Sequence, residues 1–120
     1  MKKVVNVKVG DVIEFPLYQF APLRSGWNGW IFRAGIVDEI YIKNGVKCAK
    51  VRYCSRRAGR YELFGSLYQE HTVNVRFGRL FEYDVERERR FYLSAIEAEK
   101  NGEEVCWSED IALLANNGII

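Results

Sequence analysis

The dipeptide Asn44-Gly45 constrains the fold of this chain more than any other feature. A two-residue type I′ turn needs positive φ at both positions, and Asn-Gly supplies that at little steric cost. β-Rich runs stand on both sides of it, and a turn of this length sets their register. Lys43 then faces Val46, Ile42 faces Lys47, Ile40 faces Ala49 and Glu39 faces Lys50, with Val37 opposite Arg52 and Ile36 opposite Tyr53. One face of this hairpin carries Ile36, Ile40, Ala49, Val51 and Tyr53, and the other carries the Glu39–Lys50 pair. Asp38 breaks the pattern by falling on the apolar face. That conflict predicts a bulge near Gly35–Asp38, or a carboxylate with a local partner.

The flanking segments differ in character. Val5, Val7 and Val9 alternate before the turn signal Gly10-Asp11, and Ile13 and Phe15 follow it. Pro16 to Trp30 holds both prolines, Gly26 and Gly29, and the aromatics Tyr18, Phe20, Trp27 and Trp30. No period survives there, so it reads as a long aromatic loop. Thr72 to Phe77 alternates again, and Gly78-Arg79 is expected to turn it into Leu80–Tyr83 as a second hairpin. A helix follows, with Asp84 as N-cap, Glu86 and Glu88 in the first turns, Lys100 near the end and Asn101-Gly102 as the stop. Glu103 to Trp107 reads as a short strand with Trp107 in the core. Ser108 then caps a short helical turn that Asn116-Asn117-Gly118 ends.

A chain of 120 residues, 48% apolar, with 7 Phe, 7 Tyr and 3 Trp, can build one domain with its own core. No apolar run approaches a membrane span. Asn6 and Lys8 interrupt the start too early for a secretory leader. Cys48, Cys54 and Cys106 leave one thiol over in any disulfide scheme, which points to a reducing compartment, the cytoplasm. The net charge of +2 hides a division. Residues 1–79 carry 14 Lys/Arg against 6 Asp/Glu, and residues 80–120 carry 4 against 10. Such a map speaks of partners, or of a chain that neutralises itself.

Taken together, Val9-Gly10-Asp11-Val12-Ile13-Glu14-Phe15, Gly35-Ile36-Val37, Ala49-Lys50-Val51-Arg52-Tyr53 and Val105-Cys106-Trp107 before Asp110-Ile111-Ala112-Leu113-Leu114 resemble the SH3-like barrels of the KOW/Tudor type. In these the first strand follows a Gly-Asp turn, the middle strands form a hairpin, and a short helical turn adjoins the last strand. The resemblance implies a mainly β (α+β) fold in a single domain, residues 1–120. Its barrel comes from 4–53 and 103–115, with a long aromatic loop and an inserted hairpin-plus-helix arm at 54–102. It also implies a small binding module for nucleic acid, ribosomal or polymerase surfaces, or modified peptides.

The residues of reaction chemistry do not converge. Cys48, Cys54, Cys106 and His71 lack the close pairs of a zinc site. His71, the one histidine, has no nucleophile motif beside it and reads as an exposed strand-end residue. Carboxylates at 82–88 and 97–110 are explained by caps and solvated faces, and Gly26-Trp27-Asn28-Gly29 lacks the lysine of a phosphate loop. The expectation is a protein with no metal, no cofactor and no catalytic site; a small enzyme, the lesser alternative, would need the fold to bring His71 and carboxylates together.

Two binding surfaces are expected instead. Lys50, Arg52, Arg56, Arg57 and Arg60 fall within eleven residues without an acid among them, the groups that grip phosphate and release counterions. Tyr18, Trp27 and Trp30 with Arg24 could stack bases, enclose a cation or anchor a protein, with two of the loop's four aromatics closing the core. Nucleic acid, RNA or DNA, is the first expected partner. The alternative is a protein partner, with the chain as an assembly adaptor or compact inhibitor of the kind phages and mobile elements encode. The helix at 84–100 adds Phe91 and Leu93 off its main apolar stripe, which suits a second copy of the chain on its outer side.

Overall fold

In a computed structural model, described for residues 2–4, 6–21, 27–55 and 68–120 (backbone only at 19–21, 27 and 28), one long strand organises the rest. Strand β2, Trp27–Lys43, is 17 residues long. Its first part pairs antiparallel with β1, Val12–Ala21, and its last part with β3, Val46–Cys54. Ile36 alone pairs with both, facing Val12 on one side and Arg52 on the other. β4, Glu70–Arg76, adds to β3, and the two-residue β5, Phe81–Glu82, adds to β1. The result is a five-stranded antiparallel sheet in the order β4-β3-β2-β1-β5, with helices α1, Val85–Lys100, and α2, Glu109–Asn116. The fold is mainly β, of the α+β class. No helix among the described residues is long and apolar enough to cross a membrane.

The point where β2 changes partners is a packing constraint. Gly35 is buried, and a Cβ there would lie 2.2 Å from a Val51 methyl and 2.8 Å from the Phe15 ring. Phe15 belongs to β1 and Val51 to β3, so side chains from strands on both sides of β2 meet over the glycine. Around them Ile13, Val37, Val75 and Leu80 complete one core. Two residues on, the register shifts between Val37 and Glu39, leaving Asp38 as the extra residue of a bulge. Both expectations for Asp38 hold at once, because its carboxylate also meets Arg52 at 3.2 Å.

The bulge corrects the register upstream of it. From Glu39 to Lys43 every expected pair is present, but Val37 faces Val51 rather than Arg52, and Ile36 faces Arg52 rather than Tyr53. One inserted residue exchanges the two faces of a strand. Ile36 therefore leaves the face of Ala49 and Val51 and joins Ala34, Trp107, Ile111 and Leu113 in a second core beneath the helices.

Three other expectations are corrected. The segment Pro16–Trp30 is no loop at its ends, since β1 continues to Ala21 and β2 begins at Trp27. Pro16 sits past the two β1 residues that pair with β5, where β1 has become an edge strand and proline is tolerated. No hairpin joins β4 to Leu80–Tyr83. Phe77–Arg79 forms a 3₁₀ turn closed by Leu80 N–H to Phe77 C=O (3.1 Å), which advances the chain instead of reversing it. β4 and β5 consequently lie at opposite ends of the strand order. Residues Glu103–Trp107 run without strand pairing, although Trp107 is buried as expected, its ring 5.7 Å from that of Tyr92.

Both helices begin where their caps predict. Asp84 accepts from Arg87 N–H at 3.0 Å and Ser108 from Ile111 N–H at 3.2 Å. α2 is the better buried, with Ile111, Ala112, Leu113 and Leu114 all in the interior. Its first turn is docked by charge as well. Glu109 meets Arg33 at 2.8 Å, and Asp110 accepts the N–H of Ala34 at 3.0 Å. Ala34 precedes Ile36, where pairing with β3 begins, so the carboxylate stands in for a strand partner. Burial, set against that N–H and the Arg33 guanidinium, pushes the Asp110 carboxyl up from 3.8 to about 6.

Replacing Gly35 with Ala is expected to cost about 1–3 kcal/mol, the range for overpacking a filled core, read as a lower urea midpoint at unchanged slope. Asp110 binds its proton more tightly folded than unfolded. Its contribution to stability is therefore full below about 3.8 and lost as pH rises through about 6. Asp110→Asn, which keeps the acceptor for Ala34, should remove this part of the pH dependence, so that melting temperatures at pH 5 and pH 7 differ less than in the wild type.

Candidate binding groove

Past the end of β5, the β1–β2 hairpin stands as a two-stranded ribbon beside β4. The space between them is a groove of about 500 Å³. Pro16, Leu17 and Tyr18 of β1, Trp30 of β2, the run Val73–Arg76 of β4, and Arg79 of the 3₁₀ turn line it. Leu17 and Val73 are half-buried against the inner core and form an apolar floor. The rim is aromatic and cationic. No carboxylate among the described residues lines the groove.

Strand register places the two rim aromatics together. Tyr18 and Trp30 are cross-strand partners, and their rings meet edge to face with centroids 5.5 Å apart. Such pairs are favourable because the positive edge of one ring meets the negative face of the other. Both remain open to solvent, at 51% and 57% of their full exposure. The Arg79 guanidinium lies 5.5 Å from the Trp30 ring centre, within cation–π range. Arg76 and Asn74 point outward from β4, on the face opposite Val73 and Val75. A smaller depression of about 370 Å³ continues over Lys43, Tyr41 and Cys48 and shares Asn74 and Arg76 with the groove. Close by, Lys47 sits 4.7 Å over the Phe77 ring.

The expected basic stripe is redistributed. Lys50 is exposed on β3, opposite Glu39 and Asn74. Arg52, expected on the open outer face with it, is half-buried, with its Nε and Nη1 engaged by neighbouring side chains. Its Nε contacts both Asp38 oxygens at 3.2 Å, and its Nη1 donates to Glu70 at 3.0 Å and to Asn117. Tyr68 and the Asn117 amide (2.9 Å) donate to the same Glu70 carboxylate. Burial alone would raise the pKa of Glu70, but these donors outweigh it and hold the carboxyl below its ordinary value. The knot joins the β2 bulge, β3, β4 and the end of α2, and Arg52 is a structural cation there. Its acids are distant in sequence, so local composition gives no warning of them. Arg56, Arg57, Arg60 and Arg24 lie outside the described residues, as do the side chains of Trp27 and Phe20.

Arg76 and Arg79 are functional candidates that sequence reasoning passes over. A signal for Arg76 is present: Val73 and Val75 alternate inward, which sends Asn74 and Arg76 outward. Only the return of the β1–β2 ribbon alongside β4 brings them to the aromatics. His71 is exposed on β4, its ring 6.5 Å from that of Tyr53. Cys48 and Cys54 are buried and Cys106 is exposed, none of them in a disulfide, and no cluster of metal-ligating side chains occurs among the described residues.

No family model, curated protein or solved structure matches the chain.

Replacing Arg52 with Ala should cost roughly 1–3 kcal/mol, since it takes the cation from the partly buried Glu70 and unties the β2 bulge from the end of α2. The change should appear as a lower thermal midpoint with the groove untouched.

Proposed function

We propose that this chain is a non-enzymatic, SH3-like module that binds single-stranded nucleic acid in the groove between the β1–β2 ribbon and β4. The observation that carries this reading is the exposed Tyr18–Trp30 pair beside Arg76 and Arg79, in a groove that no described carboxylate lines. Every base has a face that can stack on an open ring, and each such contact is worth about 1–3 kcal/mol. Guanidinium groups next to the rings hold the phosphates that connect the bases. A duplex keeps its base faces stacked inside, so the platform selects unpaired strands. The hairpin at Asn44-Gly45 supports the SH3-like reading. Three reduced cysteines, two of them buried, support the cytoplasm as its setting.

A second reading is favoured by one specific feature. β4 is an edge strand, and no described residue pairs with its outer side, whereas β5 is bridged by Lys3. An extended segment of a protein partner could add there as a further strand, through backbone hydrogen bonds that salt hardly screens.

Fluorescence anisotropy with labelled single-stranded oligonucleotides across a salt series separates the two. Nucleic-acid binding predicts that log affinity falls linearly with log salt. Arg76→Ala with Arg79→Ala should make that slope shallower, by about 0.7 for each phosphate the protein no longer neutralises. Trp30→Ala should weaken binding roughly 5- to 150-fold, the equivalent of one stacked base. Arg52→Ala should leave affinity unchanged. Absence of binding at low salt, or binding indifferent to Trp30→Ala and to the double arginine change, overturns the proposal.

A further inference from the structure

Helix α1 turns Tyr92, Ala95 and Ile96 toward the second core. Its outer flank carries Glu86, Arg90, Leu93, Glu97 and Lys100, spaced four, three, four and three residues apart, which places all five on a single stripe. Leu93 stands at the middle of that stripe, 59% exposed. A single exposed leucine means little. The charges around it are more telling. Read from the N-terminus the stripe is acid, base, leucine, acid, base, and reversing its direction inverts the sign at every charged position.

We infer that this stripe is the contact between two copies of the chain, paired antiparallel about a twofold axis through Leu93. In that arrangement Leu93 meets its symmetry mate. Arg90, three residues before it, meets Glu97 of the other copy, and Glu86, seven before, meets Lys100, seven after. The same contacts recur on the other side of the axis, as an isologous interface requires. A parallel pairing would set like against like. Within one copy these charges are largely unspent. Glu86 pairs with Arg89, whereas Arg90, Glu97 and Lys100 make no ion pair among the described residues. Phe91 lies on the other flank, in a depression of about 340 Å³ with Arg87, Cys106 and Ile111, and takes no part.

A contact between two 16-residue helices is small, which makes the dimer weak and concentration-dependent. It lies on α1, away from the groove, so it stands independently of the nucleic-acid reading. Sedimentation velocity on the full chain tests it. The weight-average mass should rise from 14.0 kDa toward twice that value between micromolar and millimolar concentration. Arg90→Glu alone and Glu97→Arg alone each place like charges across the axis and should stay monomeric throughout. An equimolar mixture of these two variants restores every opposite-charge contact and should dimerise, as should the double variant. All three are solvent-facing changes, and circular dichroism confirms that each is folded. A wild-type chain that stays monomeric to millimolar concentration overturns the inference. So do single variants that dimerise like the wild type, or a mixture that fails to recover.

Discussion

The clasp of Phe15 and Val51 over Gly35 is the contact on which the other features depend. A strand that pairs with one neighbour along its first half and another along its second leaves both half-sheets free to bury the same face. That burial works only if the crossing point has no side chain of its own. Gly35 has an ordinary backbone conformation and is required for space alone. The bulge at Asp38, immediately after, reassigns the faces of β2, so that Val37 enters the core shared by the strands and Ile36 enters the one beneath the helices. One glycine and one extra residue thus let a single strand serve two cores.

The helices are held to this frame by charge as much as by burial. Arg33 with Glu109, Ala34 N–H with Asp110, and Arg52 with Asn117 join the basic first part of the chain to its acidic last part. A share of the uneven charge distribution is therefore spent internally, in half-buried pairs where desolvation competes with attraction. The cations around the groove, Arg76 and Arg79, are outside this exchange. Positive charge collects beside Tyr18 and Trp30 because the acids that could neutralise it are engaged elsewhere or line other surfaces.

What can be read in advance follows the range of the physics. The Asn44-Gly45 turn, the Glu39–Lys50 pair, the Asp84 and Ser108 caps and the anomaly at Asp38 are local, and each is legible within a few residues. The Pro16–Trp30 segment reads wrongly as a loop because its proline and glycine signals outweigh the cross-strand pairing within it, which leaves no period in the sequence to announce it. Arg52 escapes a sequence reading for a related reason: its partners Glu70 and Asn117 are brought to it by the sheet and by α2. Arg76 and Arg79 lie on β4 and its following turn, and nothing nearby in sequence ties them to Tyr18 or Trp30. Composition indicates that a chain has cations and aromatic rings to offer a ligand. Topology decides which of them meet.

The ribbon formed by the outer parts of β1 and β2 has a mechanical consequence. Six residue pairs, from Pro16–Phe32 to Ala21–Trp27, extend it roughly 20 Å at ordinary strand rise. It is rooted at the Gly35 clasp and flanked by neither β5 nor β3 along that length. A lever of these proportions converts a rotation of a few degrees at its root into ångström-scale travel at its tip. Tyr18 and Trp30 ride on that lever while Arg76 is mounted on the sheet beside it, so the gauge of the groove is set by packing around a glycine that does not line it.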